Sequence, residues 1–313
     1  MLLALPVLAT SSKRLTRHCS CSTLVAMTQN PPATPPQPHP FDDAVRLAPA
    51  AGGTPHTFVG HTSAAYWNMV GPYGGITAAV LVQAITDHPA RLGDIALLTV
   101  NYASGVAAGA FDVTATPVRT NRSTQHWVLS LSQRSASGEP EAVVVITATA
   151  MTALRRATWQ TNDLPMPAVA APAAWPATDM QGAMAWLDRY DMRFVCGQVP
   201  AVWTGEGRDS LSRLWVRDAQ PRALDFASLA ALADVFYPRV WLRRATRVPA
   251  GTVSMTIYFH ASAEQLAENG TGYLLAQAQG QAFRHGFFDQ SAQLWREDGT
   301  LMATSHQLVY FKQ

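Results

Sequence analysis

Asp234 closes the run LAALAD, with Leu229, Ala230, Ala233 and Val235 around it on an apolar helical stretch. A carboxylate placed there loses its hydration unless a donor reaches it. It therefore marks either a functional acid or base held away from its ordinary pKa, or one half of a structural pair. The competing reading turns Asp234 to solvent at a helix end, because Pro238 follows four residues on. Two later polar residues stand where strands of the same region can meet it. Thr252 opens TVSMTIYFHA, and Gln307 lies inside the apolar terminal run LMATSHQLVYF. Period-two alternation puts Gln307 on one face with Ser305 and Val309, and His306 on the other with Thr304 and Leu308. Alone, a strand glutamine reads as a solvated residue; the combination of the three is what carries meaning.

The elements that must hold these residues lie in a chain of 313 residues, 48% apolar and only 14% charged, with a net charge of +2. That composition supports one large or two modest folded domains and excludes a disordered chain. No Lys/Arg run exceeds a pair, so a nucleic-acid partner is not expected. No stretch approaches the roughly 18 apolar residues of a membrane span, so no membrane partner is expected either. Cys19, Cys21 and Cys196 cannot build a disulfide framework, which points to a reducing compartment and a cytoplasmic location. The opening MLLALPVLAT is followed, not preceded, by Lys13, Arg14 and Arg17, the reverse of a secretory signal. Residues 1–40, Pro-rich beyond Met27, are expected to be a disordered extension or the product of a mis-assigned start at Met1 rather than Met27.

A second breaker-rich stretch, residues 161–182 with Pro165, Pro167, Pro172 and Pro176, reads as a linker between two halves, 41–160 and 183–313. In the first half Gly74-Gly75 opens a buried helix, ITAAVLVQAITDH. Strand-type runs follow at 96–104, 111–120 continuing to 126–133, and 141–150, with a hairpin turn at 137–140. The second half repeats the order: a helix over 225–236, then runs at 253–261, 273–283, 287–295 and 301–311. Laying Thr99 on Thr256 gives an offset of 157, and laying Gln133 on Trp295 gives 162. The agreement of the two anchors implies a tandem duplication. One long helix followed by antiparallel strands, twice over, is an α+β layout in which each helix is wrapped by a curved sheet: a double hotdog. A ligand site then falls between the halves, near the helix N-termini. An unpaired edge strand favours a homo-oligomer.

The segments LADVFYP (232–238), TVSMTIYFHA (252–261) and LMATSHQ (301–307) resemble three blocks of the acyl-CoA thioesterase II family. The Tyr258-Phe259-His260 ending, the hairpin from Trp295 to Gly299, and GPYGG (71–75) are similar to further family features. The likeness spans about residues 55–311. It implies an acyl-CoA substrate and a hydrolytic water held by Asp234, Thr252 and Gln307, with Asp234 as the base and no cofactor. The thioester carbonyl would sit on the backbone N–H groups of Gly74 and Gly75, since glycine permits close approach. The first helix has Val82, Gln83, Ala84 and Ile85 where a matching acid would fall, and its nearest acid is Asp87, so one active site per chain is expected.

Other residues weigh less. Arg119, Arg122 and Arg243 are candidates for the coenzyme A phosphates, against the commoner reading of solvated arginines. Tyr66, Trp67, Tyr73 and Phe236 are candidates for an acyl tunnel or for simple packing. His260, His285 and His306 have no metal-ligand spacing, so no metal is expected. An acyl-thioester dehydratase or hydratase is the alternative enzyme, although its histidine is not found near Asp234. A non-catalytic acyl-CoA-binding double hotdog is the alternative outside enzymes.

Overall fold

The computed structural model describes residues 38–53, 56–134, 142–179 and 184–312. Residues 1–37, with Cys19 and Cys21, lie outside these, as does the expected turn at 137–140; Cys196 is exposed and unpaired. The first half contains α1 (Pro40–Ala44), β1 (Ala48–Pro49), β2 (Thr57–His61), α2 (Gly74–Thr86), β3 (Asp94–Tyr102), β4 (Ala110–Thr120), β5 (Thr124–Arg134) and β6 (Ala142–Ala153). The second contains β7 (Tyr190–Cys196), β8 (Ser212–Asp218), α3 (Phe226–Leu232), α4 (Arg239–Arg244), β9 (Ala250–Phe259), α5 (Ala263–Asn269), β10 (Leu274–Arg284), β11 (Phe287–Arg296) and β12 (Leu301–Phe311).

All twelve strands form one sheet in the order β1-β2-β4-β5-β6-β3-β9-β12-β11-β10-β8-β7, each half the mirror of the other. The halves join where β3 pairs antiparallel with β9, from Leu97 opposite Tyr258 to Asn101 opposite Ser254. Arg155 ties the seam by donating to the carbonyls of Ile95 and Phe259. The duplication extends to irregularities. The register shift at Ile95/Leu97 against β6 recurs at Leu308/Val309 against β9, and the one at Leu131/Ser132 recurs at Leu294/Trp295. Trp295 thereby corresponds to Ser132, one residue from Gln133. Bulges re-aim a strand, so their repetition preserves the same curvature in both halves.

The helix α2 is apolar nearly all round, and ten of its residues are buried, because sheet covers one side and α3 the other. In the second half the helix is shorter than expected: α3 ends at Leu232 and leaves Asp234 just beyond it. The last turn tightens, with Asp234 N–H donating to Ala231 O and Val235 N–H to Leu232 O, and Pro238 blocks continuation. An Asp225/Ser228 capping box fixes the other end.

The Ala/Pro-rich segment expected to be a linker lies as a strap on the sheet. Trp215, Leu275 and Trp295 form a cross-strand row, and Met166, Val169 and Trp175 pack over it. The indoles of Trp215 and Trp295 donate to the strap carbonyls of Ala170 and Leu164. Indole N–H groups need such acceptors when buried.

Candidate active site

The α2 N-terminus, the turn after α3, and strands β3, β9 and β12 converge on a cavity of about 640 Å³ between the halves. Asp234 is the single carboxylate among its described lining residues, which include no histidine, lysine or arginine. Gln307 Nε2 donates to Asp234 Oδ1 at 2.7 Å, and Thr252 Oγ1 donates to Gln307 Oε1 at 3.1 Å. Gln307 Nε2 also contacts Met255 Sδ at 3.4 Å. The three residues selected from the sequence are thus joined in one chain, Thr252 to Gln307 to Asp234. Gln307 is on the buried face of β12 with Ser305 and Val309, while His306 and Leu308 are exposed, as alternation requires. Ser305 Oγ donates to Ala233 O and pins the turn that carries Asp234.

Asp234 is half-buried, and its accessible surface faces the cavity. Removal from bulk water pushes its carboxyl up from the ordinary 3.8 to about 7, against the hydrogen bonds from Gln307 and from the Gly75 N–H, which favour the charged form. The second half approaches both glycines at the start of α2 closely, by a side chain at one and by backbone at the other. A Cβ on Gly74 would sit 2.8 Å from Asp234 Oδ2, and one on Gly75 would sit 2.6 Å from Ala231 O. The Gly75 N–H is among the groups that favour the charged form of Asp234. Gly74, which lines the cavity, keeps the expected position at the first residue of the helix. Gln307 joins the other two, its Nε2 donating to Asp234 and its Oε1 accepting from Thr252, and the amide oxygen keeps a further lone pair.

Several contributors were not evident from the sequence. Tyr102, at the end of β3, donates to Gly74 O at 2.9 Å. Tyr73 donates to Ala231 O and stacks on Trp186 with ring centroids 4.3 Å apart, locking the start of α2 to the last turn of α3. Arg239 is fully buried and donates to Tyr237 O, Ser210 O and Ser212 Oγ, which anchors the far side of the Asp234 turn. Tyrosine and arginine types alone gave no sign of these contacts. Of the four proposed tunnel aromatics, Tyr73 and Phe236 line the cavity, whereas Tyr66 is core.

The arginines suggested for coenzyme A do not reach the cavity. Arg119 bonds Asn121 and Arg243 bonds Gly207 O, both exposed, and neither they nor Arg122 is among its lining residues. Among the described residues no group of three or more His, Cys, Asp or Glu side chains could hold a metal. Among them, no helix is long and apolar enough to cross a membrane.

Two tandem hotdog layers with the polar chain at their junction define the class: a double-hotdog protein. Residues 63–153 match the acyl-CoA thioesterase N-terminal domain and residues 166–311 the acyl-CoA thioesterase C-terminal domain, so the chain belongs to the acyl-CoA thioesterase family. A conserved protein of unknown function with a hot dog fold from Alicyclobacillus acidocaldarius is 42% identical. The alignment covers 88% of this chain and 99% of that one, with a TM-score of 0.80. The acyl-CoA thioesterase II TesB2 of Mycobacterium marinum shares the fold at 15% identity, with 87% and 98% covered and a TM-score of 0.65. A search of curated proteins gave no match.

Proposed function

We propose that this chain hydrolyses acyl-CoA thioesters, releasing a free acid and coenzyme A, with Asp234 as the general base. The observation that carries the reading is the single carboxylate among the described lining residues of the cavity, held by the chain from Thr252 through Gln307; removal from bulk water raises its pKa to about 7. A base poised near neutral pH combines a useful ionised fraction with proton affinity. Water bound at the Asp234 carboxylate gives up a proton as its oxygen attacks the thioester carbonyl. Thr252, whose proton is directed to Gln307, still has lone pairs to accept a hydrogen bond from that water. Gln307 orients the carboxylate. The oxyanion forms near the Gly74 N–H; its collapse breaks the C–S bond, and the leaving thiolate takes the proton held by Asp234, which restores the carboxylate. The absence of histidine among the described lining residues favours hydrolysis over dehydration, which needs a histidine beside the acid.

At the positions corresponding to Thr252 and Gln307 the first half carries Ile95 and Ala150, both buried and apolar. One active site per chain follows. The test is free-thiol release from a panel of short, medium and long acyl-CoAs. The wild-type chain should turn over at least one class, and Asp234→Asn should lose on the order of 10²–10⁴ in rate. Gln307→Ala should lose less, because the Gly75 N–H still holds the carboxylate. Flat traces across the panel would overturn the activity, and an unimpaired Asp234→Asn would overturn the base.

A further inference from the structure

The Gly74–Gly75 peptide is held at both ends by different halves of the molecule. Its C=O accepts from the Tyr102 hydroxyl at 2.9 Å, and its N–H favours the charged form of Asp234, whose Oδ2 comes so close that a Cβ on Gly74 would sit 2.8 Å from it. The peptide is planar and trans, so fixing the direction of one group fixes the other. Asp234 and Ala231 come close to both positions, and two consecutive glycines make the first turn of a helix easy to distort. A donor on the carbonyl also polarises the peptide and strengthens its N–H as a donor. We propose that Tyr102 is a positioning residue for Asp234, acting through the Gly74–Gly75 peptide rather than on the substrate.

This inference rests on the reading of Asp234 as the hydrolytic base, but its main readout does not require turnover. The titratable groups facing Asp234 are the phenols of Tyr73 just before α2, Tyr102 on β3 and Tyr190 on β7. Burial, and then the Asp234 charge or neighbouring phenols, hold all three well above their ordinary value. They stay neutral while Asp234 titrates. Gln307 on β12 and Thr252 on β9 carry no charge.

The experiment is Tyr102→Phe, which removes one oxygen and keeps the ring. Titration of the protonated Asp234 carboxyl by difference infrared spectroscopy, with Asp234→Asn as the blank, should give a midpoint above that of wild type. Loosening the Gly75 N–H removes a bond that favours the ionised form. In the thiol-release assay kcat should fall roughly threefold to tenfold near pH 6 and recover toward wild type near pH 9, with KM unchanged. Incorporation of 3-fluorotyrosine at position 102, a stronger donor, should move the infrared midpoint the opposite way. A variant with altered packing alone would not show that reversal. Identical midpoints in all three proteins would overturn the proposal. An inactive wild type with shifted midpoints would overturn the hydrolase reading and leave the positioning role standing.

Discussion

Thr99 and Thr256 face each other across the junction of β3 and β9, and their hydroxyls lie 3.0 Å apart although 157 residues separate them in the chain. The same separation carries Leu98 to Met255 and Ala150 to Gln307, so Thr99 and Thr256 are each other's counterparts and meet at the molecule's pseudo-two-fold axis. Residues on the axis have kept the same type. Away from it, Ile95 and Ala150 replace the equivalents of Thr252 and Gln307, and the polar chain survives in one half only.

The raised pKa of Asp234 makes this residue a burden on stability at neutral and alkaline pH. Its folded value of about 7 lies above the unfolded 3.8, so the folded state resists ionisation. The cost is absent below about pH 4, grows as pH rises toward 7, and then stays constant. Asp234→Asn should therefore melt higher than wild type at about pH 8, by up to a few kcal/mol, because water in the cavity relieves part of the penalty. The advantage should shrink at about pH 4. Calorimetry showing no gain at the higher pH would contradict the assignment.

Gly74→Ala should separate activity from stability. The new Cβ meets a movable carboxylate oxygen at 2.8 Å rather than backbone, so Asp234 can swing aside. Alanine also improves a helix by up to about 1 kcal/mol over glycine. The melting temperature should stay near wild type while kcat drops about 10- to 100-fold through the misplaced base. A fully active alanine variant would show that the Asp234 position tolerates displacement.

His56 and His88 form a pH-sensitive pair at the start of β2. His56 Nδ1 and His88 Nε2 are 2.7 Å apart, and the Ala90 N–H donates to His88 Nδ1. Neutral His88 therefore carries its proton on Nε2 and donates it to His56. Burial first, and the His56 charge second, hold His88 below its ordinary pKa. For a depressed histidine the stabilisation is complete above the unfolded value of about 6.5 and is lost as pH falls through the folded one. Urea melts should lose stability on this account between pH 7 and 5. His56→Gly, which suits the backbone φ of 63° there, should flatten that slope. Parallel slopes for the two proteins would refute the coupling.

Local patterns determined much of this protein before any folding. Period-two alternation identified β12 and the face of Gln307. The offset of 157 placed β3 on β9, and an acid in an apolar run singled out Asp234. The missed strands show where such patterns stop. In β8, Leu214, Trp215 and Val216 are consecutive and all buried, since the strap covers the face that alternation would leave to solvent. Pro238 already marked a helix end near Asp234; tertiary structure alone decided that the Gly75 N–H turns to the carboxylate and that Tyr102 holds the same peptide from behind. Each of these depends on a contact between segments far apart in the chain, or on which face another segment covers. Residue type and spacing carry no record of either.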